Sequence, residues 1–293
     1  MTTLTARRSP RTASAARRSR RGGLREWSGR VGWAILAWAA AIIFFIPVLW
    51  MVITAFKPES AAETWPPKFI FTPTLSEFRL AITGMGPFLA HSIIATLGST
   101  ILVLLLAVPA AYALSVRPVK HWRDGLFFFI STKMLPIVAA IGPLYVIALH
   151  AHLLDSVALM IILYTAMNLP LAIWMIRSFM LEVPGELLEA ARLDGAGRIR
   201  EMGSVILPII SPGLTSTALI CVIFAWNELF LAINLTVTNA ATLPMFLISS
   251  VPQEGLFIAH LCAAATIASV PVIIVGWIAQ RSLVRGLSMG AIK

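Results

Sequence analysis

Charged side chains are scarce in this chain, 12% of 293 residues, so each one has to account for its place. Lys133 and Glu228 stand inside long apolar runs, with Asn168, Trp226, Asn227, Asn234 and His260 as neutral polar company. An ion at the centre of a bilayer costs about 3 kcal/mol on insertion scales, so a residue of this kind is a functional candidate by default. Glu228, Asn227 and Trp226 together offer an acceptor, an amide and a ring, which suits a polyhydroxylated solute in a water-filled vestibule. A second grouping is denser: Glu186, Glu189, Arg192 and Asp194 surround Ala190, Ala191 and Gly195, between two apolar stretches. Pro184-Gly185 signals a turn, Glu186–Asp194 reads as a short helix, and Gly195 reads as its stop. Isolated helices shorter than about 12 residues are marginal in water. This one therefore needs a partner surface, which its small alanines let come close and its charges can pair with. The chemistry on offer is docking and ion pairing.

Each intramembrane candidate keeps a plainer reading. Counted from the cytoplasmic end of its own run, Lys133 lies about 12 Å deep and Glu228 about 28 Å deep at about 1.5 Å per residue, so a direct pair between them is not expected. Lys133 faces a cavity or snorkels to the interface along its stem. Glu228 contacts the pathway or else packs or caps a helix, and Asn168 and His260 suit interhelical hydrogen bonds. Bond-making chemistry finds no support. The chain has no G-x-x-x-x-G-K-[ST] phosphate loop, no H-E-x-x-H, no paired intramembrane aspartates and no Ser/His constellation at one depth. Cys221 and Cys262 lack metal-like spacing and read as buried small side chains.

The elements that must position these residues are membrane helices. Hydrophobic residues make up 58% of the chain and mean hydropathy is +0.86, far from a soluble balance. Runs long enough to span a bilayer core lie at about 32–55, 88–115, 125–149, 156–176, 209–235 and 258–280. Prolines 47, 109, 136, 143, 170 and 271 fall inside them and predict kinks around a pathway. Lys and Arg gather in alternate connections: the N-terminal tail, then 117–123, 177–200 and 281–293, while the links at Asp155 and 236–256 have none. The positive-inside rule places those basic segments, and with them both termini, in the cytoplasm.

The formal charge of +10 invites a nucleic-acid reading, but residues 1–30 hold nine Arg against one acid, so the basicity is a tail and not a groove. That tail, 1–30, is expected to be disordered beside anionic lipid headgroups. Its Ser19-Arg20-Arg21 is similar to a twin-arginine signal, yet the apolar run that follows is too long for a signal peptide. Segments then follow as a first span at 31–56, an extracytoplasmic loop at 57–87 with at most a short helix, a core of five helices at 88–280, and a tail at 281–293.

Glu189-Ala190-Ala191, then Gly195, Val205 and Leu207-Pro208, at the spacing seen here, resemble the EAA loop of binding-protein-dependent ABC importer permeases, with Val205 where that family usually has Ile. From about Phe45 onward the chain is similar to the maltose-type carbohydrate group, through "SFMLEVPGELLEAARLDGAG", "VILPIISPGLTSTALICVIFAWNE" and "LVRGLSMGAIK". "STKMLP", "LLDS", "LAINLTVTNAATL" and "PQEGLF" resemble the sorbitol and mannitol branch. The resemblance implies an all-α, six-span type I importer fold in the inner membrane, with loop 182–208 as a coupling element docking on an ATPase. It implies a second permease subunit, two ATPase copies that hold ATP and magnesium while this chain binds no cofactor, and an extracytoplasmic sugar-binding protein. It also lays the segment after Arg281 against the ATPases. A permease for another sugar, such as a disaccharide, is the runner-up. An ion-coupled secondary transporter using Lys133 and Glu228 is the remaining class.

Overall fold

A computed structural model describes residues 11–249 and 257–289, and the described residues contain helices and no strand. Residues 1–10, most of the "PQEGLF" motif and the last four residues lie outside that range.

The chain divides between Ile53 and Thr54 into two compact units. The first is carried by α1, Arg11–Ala55, whose segment Val31–Ala55 is long and apolar enough to cross a membrane. The helix runs back to Arg11 through much of the stretch expected to be disordered. Ala and Arg are strong helix formers.

The second unit holds α2 (Glu59–Ala62), α3 (Ser76–Leu114), α4 (Trp122–Met134), α5 (Ile137–His150), α6 (Val157–Met180), α7 (Gly185–Leu193), α8 (Arg198–Arg200), a π-turn at Glu201–Ile206, α9 (Leu207–Trp226), α10 (Phe230–Leu235), α11 (Leu243–Ser249) and α12 (Ile258–Met289). Among the described residues, five helices are long and apolar enough to span a membrane, or six if the bent pair α4–α5 is one span. At its centre α3 packs on α6, α9 and α12, and α9 also packs on α6 and α12. Buried Ala95, Ser99, Val103, Ala107 and Ala111 recur every four residues along α3. Such small residues let membrane helices approach closely where no hydrophobic force drives them together. Two glycines mark the tightest approaches: a Cβ on Gly98 would stand 2.9 Å from Ile161, and one on Gly213 would stand 2.4 Å from the Phe179 ring.

Three boundaries differ from the sequence expectation. The span at 125–149 is two helices bent by 96°. Pro136 removes a backbone donor and holds Leu135 extended, at ψ 122°, so the kink becomes a break. The loop at 57–87 gives up its last twelve residues to α3, with Pro87 inside the helix. Burial decides this, because Phe78, Ala81, Met85 and Leu89 pack with Trp226, Leu243, Ala263 and Ala264. The apolar run at 209–235 breaks after Trp226, and a separate short helix, α10, follows.

Candidate functional site

The acidic segment folds as its spacing predicts. Residues Gly185–Leu193 form α7. Gly195 adopts φ +78°, a left-handed conformation that suits a residue without Cβ. Its N–H donates to the Arg192 carbonyl at 3.1 Å, and Ala196 N–H donates to the Ala191 carbonyl at 2.9 Å. Together these are the paired bonds of a Schellman stop. Val183 and Leu188 anchor the helix in a core with Ala107, Tyr112, Ile176, Met180 and Ile206. The opposite face is exposed: Glu186, Leu187, Glu189, Ala190 and Leu193, followed by Asp194 and Ile199. Leu193 and Ile199 are 88% and 84% exposed, a large apolar display beside carboxylates. Leu207 packs against the core and Pro208 lies in the first turn of α9.

Arg192 does not join its helix neighbours in an outward charge cluster. Its guanidinium turns inward to Glu201, with Nη2 donating to Oε1 at 2.9 Å and Nε to Oε2 at 3.3 Å. Glu186, Glu189 and Asp194 carry no ion pair among the described residues. Arg117, beyond the end of α3, donates from Nη2 to Oε2 of the same carboxylate at 2.9 Å. The Glu201 side chain is fully buried. Its hydrogen bond raises the Arg117 guanidinium above its ordinary value, against a smaller opposing effect of burial. Sequence reasoning missed Glu201 and Arg117. A lone carboxylate at the threshold of an apolar run was the available signal. Next to this group the Arg177 Nε donates to the Leu114 carbonyl at 3.1 Å, closing the end of α3, and its guanidinium lies 4.7 Å from the Trp122 ring centre.

The intramembrane candidates separate into exposed and packed residues. Lys133 is exposed at the α4–α5 break and lines a cavity of about 370 Å³ with Thr132, Ile137, Ala166, Pro170 and Leu231. Broken helices at membrane depth occur where backbone faces protein or a water-filled cavity. Glu228 is partly buried, and both carboxylate oxygens accept from the Leu231 N–H, at 3.0 and 3.1 Å, so it caps α10. Because Leu231 also lines the Lys133 cavity, that cap fixes one of its walls. Asn227 is exposed and turns its amide back to the Ile223 carbonyl at 2.7 Å. Trp226 is buried, donating from Nε1 to the Ala268 carbonyl at 3.2 Å, and Asn168 is buried, donating to the Cys221 carbonyl at 3.4 Å. In this conformation those two residues join helices and do not line the cavity. Among the described residues no cluster of His, Cys, Asp or Glu is arranged to hold a metal ion.

The described residues thus form a helical bundle with one broken span and an exposed acidic helix. Residues 104–289 match the family described as binding-protein-dependent transport system inner membrane component. A probable ABC transporter permease of Sinorhizobium fredii is 35% identical over 263 residues, 89% of this chain and 95% of that one. The trehalose transport system permease protein SugB of Mycobacterium tuberculosis is 33% identical over 269 residues, 89% and 97% of the two chains. In fold, the crystal structure of a bacterial ABC transporter involved in import of the acidic polysaccharide alginate aligns with TM-score 0.72 at 21% identity, covering 94% of this chain and 99% of that one. The chain belongs to the inner-membrane component family of binding-protein-dependent transport systems and is an integral, non-catalytic ABC permease subunit.

Proposed function

We propose that this chain forms half of the translocation pathway of an ATP-driven sugar importer. α7 is its dock for a cytoplasmic ATPase, and the Lys133 cavity is part of its solute route. The observation that carries the reading is α7 itself: a nine-residue helix anchored on one face by Leu188, and by Val183 in the turn before it, that leaves carboxylates, a small alanine and Leu193 outward. A surface helix with that display needs a partner to cover it. The partners are a second permease chain, two ATPase copies that bind ATP and magnesium, and an extracytoplasmic binding protein. Closure of the ATPases would draw the two coupling helices together and open the permease pair outward to receive ligand. The basic residues at the α7 end, Arg117, Lys120, Arg123, Arg177, Arg198 and Arg200, favour that end as cytoplasmic.

Several relatives are named for sugar uptake, among them the trehalose permease SugB and the diacetylchitobiose permease DasC of Streptomyces coelicolor. They support a carbohydrate solute and favour a disaccharide as the second reading. Motifs of the sorbitol and mannitol branch, "STKMLP" and "LLDS", support a polyol as the first. Uptake of labelled mannitol, sorbitol and trehalose into vesicles carrying the full complex tests the choice. Accumulation of a polyol with ATP supports the first reading, and accumulation of trehalose alone supports the second.

A further inference from the structure

The carboxylate of Glu201 joins three elements. Arg192 reaches it from the last turn of α7 as a two-bonded fork, at 2.9 and 3.3 Å. Arg117 reaches it from the turn after α3 at 2.9 Å. Glu201 itself is the first residue of the π-turn that leads into α9. A fork fixes orientation as well as distance, so α7 cannot swivel about this contact. The covalent route from α7 to α9 is softer. It runs through Gly195, at φ +78°, and Gly197, where a displacement of α7 would be absorbed by backbone rotation before reaching the membrane. Stability alone does not call for this arrangement. The Glu201 side chain is fully buried, its neighbour Met202 packs against the apolar core that holds Leu188 and Ile206, and apolar side chains of similar size often replace a buried ion pair at no cost. What the ion group adds is a fixed register among three elements. π-turns within helices also concentrate at functional positions.

We infer that Glu201 is the positioning residue that delivers the displacement of α7 to the membrane helices, to α9 through the π-turn and to α3 through Arg117. With the latch closed the three elements move as one. With it open, α7 moves alone. The inference rests on α7 being the ATPase dock. That reading fails separately, if the ATPase does not co-purify with the unsubstituted chain.

The test needs no knowledge of the solute. Cys221 and Cys262 are replaced by Ser, and Ala166→Cys places one exposed thiol in the Lys133 cavity. In the full complex in vesicles, two quantities are measured with MgATP: hydrolysis, and the change in labelling rate of that thiol by a polar maleimide. Glu201→Gln keeps the side-chain shape and removes the charge, and Arg192→Lys keeps the charge and removes the fork. Either variant is expected to retain the ATPase and hydrolyse within about twofold of the parent, while the ATP-driven change in labelling shrinks about tenfold, the range of coupling changes a single side chain can produce. A full labelling response in both variants overturns the inference. So does a response that falls only in proportion to hydrolysis, or loss of the ATPase, since Glu201 would then shape the dock or the fold and not transmit.

Discussion

At the scale of single residues, the two ends of the second unit are fastened by buried or half-buried carboxylates that backbone and arginine donors surround. Asp155, at φ +54° in the link before α6, accepts from the N–H groups of Val237, Thr238, Asn239 and Ala240 at 2.8 to 3.2 Å. Burial would push its carboxyl up, but the four donors outweigh that and hold it at about 2. A depressed folded value means that its contribution is complete above the ordinary aspartate range and is lost as pH falls toward 2. Asp155→Asn should therefore lower thermal stability in detergent at neutral pH, by about 2 kcal/mol for a charged acceptor of backbone bonds, and the difference from the parent should vanish as pH is lowered through that window. A gap that persists at low pH would show that packing and not charge holds the loop. At the other end, Gly195→Asp should leave membrane insertion intact, because the site is outside the spans, yet loosen the stop of α7, at about 1 to 2 kcal/mol for a side chain in the left-handed region. Reduced ATPase recovery on purification is the expected readout, and full recovery together with full transport would remove α7 from the docking role.

At the scale of elements, burial and proline geometry decided what periodicity alone left open. The spacing from Pro184 to Gly195 was enough to place α7, because a turn signal, two alanines and a stop glycine are local features. Length and hydropathy placed the spans, since those are properties of a stretch. They did not show that Ser76–Pro87 joins α3, because the deciding contacts, Phe78 and Met85 against Trp226 and Leu243, cross more than 130 residues of chain. Nor did they separate a kink from a break at Pro136. Trp226, Asn168 and Glu228 looked alike as polar groups in oil, and only tertiary contacts distinguish two interhelical bonds from a cap on α10. Glu201 was passed over because its partners Arg117 and Arg192 are 84 and 9 residues away. The close packing of α9 on α6 gives a prediction at this scale. In Gly213→Leu the Cβ alone would meet Phe179 at 2.4 Å, so the helices must part, and stability in detergent should fall by about 1 to 3 kcal/mol. Pairing it with Phe179→Ala should restore part of the loss if the clash is the cause.

At the scale of the whole molecule, the account describes a subunit that moves but does not react. In the proposed function the apolar bundle supplies the route, the cavity at the broken span by Lys133 is part of it, and α7 would carry force from outside the membrane. Uptake should therefore require the ATPase and MgATP, and the lone chain in vesicles should not accumulate solute on a proton or sodium gradient. The central claim is that α7 seats on the ATPase, and photo-cross-linking from Leu193→Cys, on the cysteine-replaced background and labelled with benzophenone maleimide, tests it most directly. In membranes holding the full complex, the account predicts an adduct between this chain and the ATPase. If position 193 labels only from the extracytoplasmic side, or gives no ATPase adduct while the complex hydrolyses ATP, the claim is contradicted.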